Sequence, residues 1–229
     1  MTDLPVALVT GASRGIGAAV ARGLADTHSL LLGGRDAAAL DELASSLPHA
    51  TPWPVELTSP EALAAATAGI SRLDVLVHSA GIAEVGPLDS ASADLWRRTM
   101  EINVVAVAEL TRLVLPALRD SRGHVVLVNS GAGLRANPGW GVYAASKFAL
   151  RAYGDVLRAE EETTGVRVTS VHPGRVDTDM QRGVREQESG DYRPEQYLRP
   201  ESVAEVVRTA VLATEDAHVA EIVIRPRRR

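Results

Sequence analysis

The sequence predicts one α/β domain, a doubly wound parallel sheet of about seven strands with helices on both faces. Three observations carry this expectation. Strand-like and helix-like segments alternate from end to end. A glycine cluster follows the first apolar run and opens the first helical one. No Ser/Gly linker, charge block or internal repeat divides the 229 residues, a length that suits a single core.

The elements come in order. Val6 to Thr10 reads as a short apolar strand, Gly15 to Ala25 as a helix, Leu30 to Gly33 as a second strand, and Ala37 to Ser46 as a second helix capped by Asp36. Thr51 to Glu56 is a weaker strand interrupted by Pro52 and Pro54. A helix follows from Ser59 with Pro60 at its first position, and then a fourth strand over Leu73 to Val77. A helix from about Ser92 to Ile102 leads into another ending near Leu118, and Gly123 introduces a strand over His124 to Asn129. Val142 to Glu162 is a long helix and Val166 to His172 a strand stopped by Pro173 and Gly174. Val203 to Ala213 is the last helix and Val219 to Ile224 the last strand. Arg175 to Pro200 reads as a long irregular, polar connection, and such segments in compact domains are usually lids, so it is expected to cover the substrate.

Composition narrows the function classes. With 45% apolar and 23% charged residues the chain is neither disordered nor fibrous. A net charge of −5 with no basic face before the last residues argues against a nucleic-acid partner. There is no cysteine, so disulfides, thiolate metal sites and thiol catalysis are excluded, which suits a reducing cytoplasm. Met1 to Pro5 have no leader-like pattern, and every apolar run stops short of the roughly 18 residues that span a bilayer. The expectation is a cytoplasmic protein without a membrane segment or a metal.

The glycine cluster is Thr10, Gly11, Ala12, Ser13, Arg14, Gly15, Ile16, Gly17, spaced GxxxGxG. At a strand-to-helix turn, Gly11 can take a sharp-turn conformation, Gly15 can admit a pyrophosphate to the backbone, and Gly17 can let the helix pack closely. This is a Rossmann-type arrangement, with purely structural turn glycines as the bland alternative.

Tyr143 and Lys147 stand four residues apart and so share one helix face, where an ammonium would favour the phenolate and bring the tyrosine pKa toward neutrality. Ser130 ends the fifth predicted strand at the carboxyl edge of the sheet, where its hydroxyl can bond a substrate oxygen. Together with the glycine turn, these residues resemble the short-chain dehydrogenase/reductase family. The resemblance extends to Ser79, Ala80 and Gly81 after the fourth strand, to Asn103, and to Pro173, Gly174, Val176 and Thr178.

The resemblance implies a catalytic set of Asn103, Ser130, Tyr143 and Lys147. Ser130 would orient the carbonyl and Tyr143 pass the proton. Lys147 would lower the tyrosine pKa and bind the nicotinamide ribose, and Asn103 would hold a water linking Lys147 to solvent. It further implies cofactor contacts from Gly11, Ser13, Arg14, Gly15, Ile16, Gly17, Ser79, Ala80, Gly81, Pro173, Gly174, Val176 and Thr178. Glu56 and Leu57 stand where the family has Asp-Val or Asp-Leu, so Glu56 would reach the adenine. His78 stands where the family has Asn, and is expected to be a hydrogen-bonded structural residue.

Gly34, just after the second strand, stands where NAD-preferring relatives carry Asp, and Arg35 follows it. With Arg14 in the glycine turn, two cations can meet a 2′-phosphate, so NADP(H) is favoured and NAD(H) remains the alternative. Substrate contacts are expected from Ser130, Leu134, Trp140, Tyr143 and Met180, with Gly133, Val184, Tyr192 and Tyr197 as further lining. Arg182, Arg185, Arg193 and Arg199 offer an opposite, anionic preference. The reaction expected is carbonyl to alcohol interconversion on a small molecule. The alternative is a non-enzymatic dinucleotide-binding regulator on the same fold. The resemblance also implies a homotetramer or homodimer, and the terminal Arg227 to Arg229 are expected to be a solvated tail.

Overall fold

The computed structural model describes residues 4–227. Seven parallel strands form one sheet in the order β3-β2-β1-β4-β5-β6-β7. They are β1 (Val6–Thr10), β2 (Ser29–Gly34), β3 (Ala50–Pro54), β4 (Val75–His78), β5 (His124–Val128), β6 (Arg167–Pro173) and β7 (Glu221–Ile224). The helices are α1 (Gly15–Leu24), α2 (Ala37–Ser45), α3 (Pro60–Thr67), α4 (Ala93–Met100), α5 (Ala106–Ser121), α6 (Gly141–Glu160), α7 (Asp179–Gln187) and α8 (Pro200–Val211).

Burial explains the layers. β4 and β5 are buried at every residue, which is why they read as unbroken apolar runs rather than alternating ones. One core cluster joins Leu24, Leu40, Val203 and Val207 of α1, α2 and α8 to one sheet face. The other joins Leu63, Leu110, Leu150 and Leu157 of α3, α5 and α6 to the opposite face. The strand order reverses between β1 and β4, and in open α/β sheets that switch opens a crevice at the carboxyl ends of the strands. Among the described residues no helix is long and apolar enough to cross a membrane.

Three expectations change. The segment from Arg175 to Pro200 is not irregular: it holds α7, a 3-10 turn at Pro194–Gln196 and a bridge pairing Val176 with Leu198. α7 buries only Gln181 and Val184, so it shows no apolar period. Its start was nonetheless marked, since the Thr178 hydroxyl accepts from the Gln181 N–H at 3.2 Å. Second, α4 and α5 run on through a π-helical turn over Glu101–Val105. Third, Ser130 lies two residues beyond β5 and opens a 3-10 turn over Gly131–Gly133. Other boundaries shift by a residue or a few, as hydrogen bonding moves the ends of elements.

Among the described glycines, the third of the cluster makes the tightest approach to another backbone atom. A Cβ on Gly17 would lie 2.2 Å from the Gly11 carbonyl oxygen, a backbone atom that cannot move aside. Gly17→Ala is therefore expected to destabilise the protein by at least about 2 kcal/mol. Gly69→Ala, whose Cβ would meet nothing within 4 Å, should stay within about 0.5 kcal/mol. Urea unfolding of both variants checks this, and equal midpoints would remove the packing argument.

Candidate active site

The glycine turn lies at the β1/β4 switch. Gly11 and Gly15 have φ of +66° and +57°, which other residues rarely adopt. A Cβ on Gly11 would also press to 2.9 Å on the Ala80 backbone, so the turn and the loop after β4 are in close contact. Thr10 joins them: its hydroxyl accepts from the N–H groups of Ser79 at 3.1 Å and Ala80 at 3.3 Å. The N-terminus of α1 has no side-chain cap and no acid in its first turn, which leaves the helix dipole available to an anion. The cradle thus fits a dinucleotide pyrophosphate.

α6 carries Tyr143 and Lys147 inward as one buried stripe. The Lys147 ammonium is 5% exposed and donates to the Val128 carbonyl at 3.1 Å, at the end of β5. Asn129 pins the next turn to the same helix, donating to the Lys147 carbonyl at 3.1 Å and accepting from the Ser130 N–H at 2.8 Å. A Cβ on Gly133 would fall 2.6 Å from Asn129 Oδ1, so only glycine allows that turn to sit so close. Asn103, in the π turn, accepts from the Ile82 N–H at 2.9 Å and donates to the Ile82 carbonyl and to Ser146 Oγ, both at 3.0 Å. Its side chain is thereby committed to joining the loop after β4 to α6. Both of its N–H donors are used, so a water there would meet the second lone pair of Oδ1 or the backbone.

The expected lowering of the Tyr143 pKa is corrected. Burial pushes the phenol up, with a hydrogen bond to Ser130 opposing it. The Lys147 ammonium lies 5.8 Å from the ring centroid and is itself held down to about 8 by burial. Desolvation outweighs the attraction of the two groups because both are enclosed.

Ser130 and Tyr143 open onto a cavity of about 1130 Å³, also lined by Trp140, Met180 and Val184. Leu134, Tyr192 and Tyr197 do not line it. Tyr192 and Tyr197 instead pack on each other at 5.1 Å, and the Tyr192 hydroxyl bonds to Asp177. Leu134 lies just past the 3-10 turn and misses the cavity. Nor do Arg182, Arg185, Arg193 or Arg199 reach it: the first three pair with Asp177, Glu188 and Asp191. The arginines that do line it are Arg135, Arg175, Arg225 and Arg227. Arg227 was expected in a solvated tail; Arg228 and Arg229 lie outside the described residues.

Ile16, Pro173, Gly174, Val176 and Thr178 line the same cavity, joining the cofactor end to the substrate end. A Cβ on Gly15 would touch Thr178 Cγ2 at 3.4 Å. At the other end of the crevice, Arg14 and Arg35 each face a carboxylate across a long exposed gap, Asp179 at 3.9 Å and Glu56 at 3.6 Å. Such pairs are weak and easily exchanged. Glu56 also accepts from Thr58 at 2.8 Å, which with Arg35 holds its carboxyl below the usual range. Leu57 packs its side chain into the core, leaving its backbone for a nucleotide. Asp36 is engaged in capping α2 through the Ala39 N–H.

Sequence reasoning missed several residues that shape the site. Glu188 binds Arg175 through both oxygens at 2.7 and 2.8 Å and accepts from the Trp140 indole at 3.2 Å. His172 Nδ1 lies 3.1 Å from the Ser130 carbonyl. The signal available for the cavity arginines was their position shortly after β5, β6 and β7. His78 fits its expected structural part: it bonds Thr111 at 2.9 Å, and burial holds it neutral with a pKa of about 3. Among the described residues no group of three or more acidic or His side chains could hold a metal.

Comparison with known proteins agrees with this geometry. The family profile described as short chain dehydrogenase matches residues 5–189. A short-chain type dehydrogenase/reductase of Sinorhizobium fredii is 35% identical over 99% of this chain and 93% of its own. The mouse dehydrogenase/reductase SDR family member 11 is 31% identical over 96% of this chain and 94% of its own. The glycine betaine reductase of Emericella nidulans is also 35% identical over 97% of this chain, but the chain spans only 19% of that protein's length. Among solved structures, an alcohol dehydrogenase from the archaeon Thermococcus sibiricus complexed with 5-hydroxy-NADP superposes with a TM-score of 0.88 at 28% identity, covering 96% of this chain and 95% of that one. An actinorhodin polyketide ketoreductase with NADPH gives 0.89 at 26% identity, covering 97% and 96%.

The buried ammonium makes a stability prediction. Because the folded value of about 8 lies below the ordinary 10.5, enclosing this cation costs stability at neutral pH, on the order of 3 kcal/mol. The cost fades as pH rises from 8 to 10.5 and Lys147 becomes neutral in the fold. Lys147→Met is therefore expected to be more stable than wild type by about 2 kcal/mol at neutral pH, after the lost bond to Val128 is counted. The advantage should vanish above that window. Thermal melts of both proteins across pH check this; an advantage independent of pH would mean that Lys147 titrates normally.

Proposed function

Because the chain belongs to the short-chain dehydrogenase family and is an NAD(P)-dependent oxidoreductase, we propose that it interconverts a small ketone or aldehyde and its alcohol with NADP(H). The observation that carries this reading is the enclosed group of Lys147, Tyr143 and Ser130 at the mouth of a cavity that also reaches the glycine turn. When bound, the nicotinamide supplies or accepts the hydride.

The chain's own residues do the rest. The Ser130 hydroxyl bonds the substrate oxygen and fixes its orientation. Tyr143 Oη holds the proton that passes to that oxygen during reduction and takes it back during oxidation. The raised phenol pKa keeps Tyr143 protonated at neutral pH, which favours the reductive direction. The Lys147 ammonium, once a ligand enters, stabilises negative charge on the phenol oxygen and hydrogen-bonds the ribose. Asn103 positions α6 against the loop after β4 and so holds the pair in register. Gly11, Ser13, Gly15, Ile16 and Gly17 would hold the pyrophosphate. Glu56, Leu57, Ser79, Ala80 and Gly81 would flank the adenosine, with Pro173, Gly174, Val176 and Thr178 at the nicotinamide.

The preference for NADP(H) rests on Arg14, Arg35 and the side-chain-free Gly34. Both arginines are more than three-quarters exposed and held by weak pairs, so both can turn to a 2′-phosphate. We assign a cytoplasmic location on the absence of cysteine, and a homodimer or homotetramer on the family's habit.

Tyr143→Phe removes only the proton-carrying hydroxyl. It is expected to lower kcat to below about one-hundredth while NADPH affinity, read by fluorescence titration, changes less than about threefold. A variant keeping more than about a tenth of kcat would remove Tyr143 from the mechanism.

Cofactor choice is open to a second test. A Cβ on Gly34 meets only Leu40 side-chain atoms at 3.5 Å or more, so an Asp fits there. Gly34→Asp with Arg35→Ala adds repulsion and removes attraction, and is expected to lower the NADPH over NADH ratio of kcat/KM by about a hundredfold or more, some 2.7 kcal/mol. A wild type that already prefers NADH would overturn the assignment.

A further inference from the structure

Three unpaired cations share the substrate cavity. Its lining contains four arginines, drawn from three separate loops: Arg135 after β5, Arg175 after β6, and Arg225 with Arg227 after β7. Glu195 is the one carboxylate side chain among the described lining residues. Arg175 is neutralised by Glu188 and stacks over Trp140 at 5.3 Å. The side chains of Arg135, Arg225 and Arg227 make no ion pair or hydrogen bond among the described residues, although the chain as a whole carries a net charge of −5.

Their place is set by the backbone. The Gly174 N–H donates to the Ile224 carbonyl at 2.8 Å, and Pro226 Cδ lies 2.8 Å from where a Gly174 Cβ would be. The residues after β7 are thereby fastened across the loop after β6, and Arg225 Nη1 comes within 3.9 Å of the Cβ position on Gly131, next to Ser130. All three residues are exposed, so water screens their mutual repulsion, and the positive field they raise over the open cavity concentrates anions there. The same lining includes Ala83, Ala132, Met180 and Val184, apolar side chains that suit a short apolar spacer.

We infer that the substrate is an anionic carbonyl compound, its carboxylate or phosphate held by Arg225 with Arg135 and Arg227 while its carbonyl meets Ser130 and Tyr143. This inference rests on the reductase reading above. An arginine pair on an anion is short, charge-assisted and directional, so it sets both affinity and the distance from anion to reacting carbon.

The test compares 4-oxopentanoate, 5-oxohexanoate and 6-oxoheptanoate with their methyl esters, and dihydroxyacetone phosphate with dihydroxyacetone, by NADPH consumption. At about 20 mM salt, at least one charged compound is expected to exceed its neutral partner in kcat/KM by about tenfold or more. The advantage should shrink at least threefold at about 0.5 M salt. The two series tell a carboxylate from a phosphate. Arg225→Gln with Arg227→Gln should reduce the charged-to-neutral ratio by about tenfold, a ratio taken within one variant and so independent of its active fraction. Neutral compounds turned over as well as charged ones by the wild type would overturn the inference and leave the reductase reading standing. If no carbonyl of either charge is turned over, that reading fails, and quenching of tryptophan fluorescence decides the inference. Saturable quenching by 5-oxohexanoate but not by its methyl ester supports it, and no difference between them overturns it.

Discussion

An ammonium enclosed between α6 and the end of β5 is the constraint from which the rest of the site follows. Taking a lysine out of water costs several kcal/mol unless polar partners surround it. Here the Val128 carbonyl supplies a direct bond, and the backbone of Lys147 is itself tied to Asn129. That arrangement requires α6 to lie almost on the turn after β5, which in turn requires Gly133, since a Cβ there would stand 2.7 Å from the Lys147 carbonyl. It requires Gly81 as well, whose Cβ would meet Asn103 Oδ1 at 2.9 Å. Two of the glycines near the site are therefore explained by close approach to the polar groups around Lys147, without any appeal to ligand contact.

The same enclosure explains why the chemistry looked different from the sequence. Spacing alone places Tyr143 and Lys147 on one helix face, and attraction between an ammonium and a phenol is the evident consequence. Spacing carries no information on how much water reaches either group. Once both are buried, desolvation raises one and lowers the other. The result at neutral pH is a neutral phenol beside a charged amine.

Legibility varied with the physical source of each feature. The parallel core was plain because β4 and β5 are buried throughout and cannot tolerate a polar break. The glycine turn was plain because positive φ at Gly11 and Gly15 leaves few residue choices. α7 was hidden because it contributes only two buried residues, and apolar period was the signal being followed. The π turn at Asn103 was hidden for a similar reason: it alters hydrogen-bond spacing by one residue and leaves composition unchanged. Arg227 was placed in a tail and Arg225 passed over, since a run of terminal arginines looks like a tail until the bond from Gly174 to Ile224 is known. Long-range fastening of this sort has no local mark in the chain.

The end of α7 ties the loop after β4 to the loop after β6. Glu188, just past its end, holds Arg175 and the Trp140 indole, and Gln187 accepts from the Val85 N–H at 2.7 Å. Trp140 packs edge-on against Tyr143 at 5.8 Å, with Ala132 and Ala144 completing the apolar surround of the phenol. The packing that raises the tyrosine pKa thus depends on the end of α7 being held by the pairs of Glu188 with Arg175 and Arg185. Desolvation is the cause of the shift, so any movement of α7 that frees Trp140 readmits water and returns the phenol toward its ordinary value. The half-buried carboxylate of Glu188 thus bears on the phenol only indirectly, through the water that Trp140 keeps out.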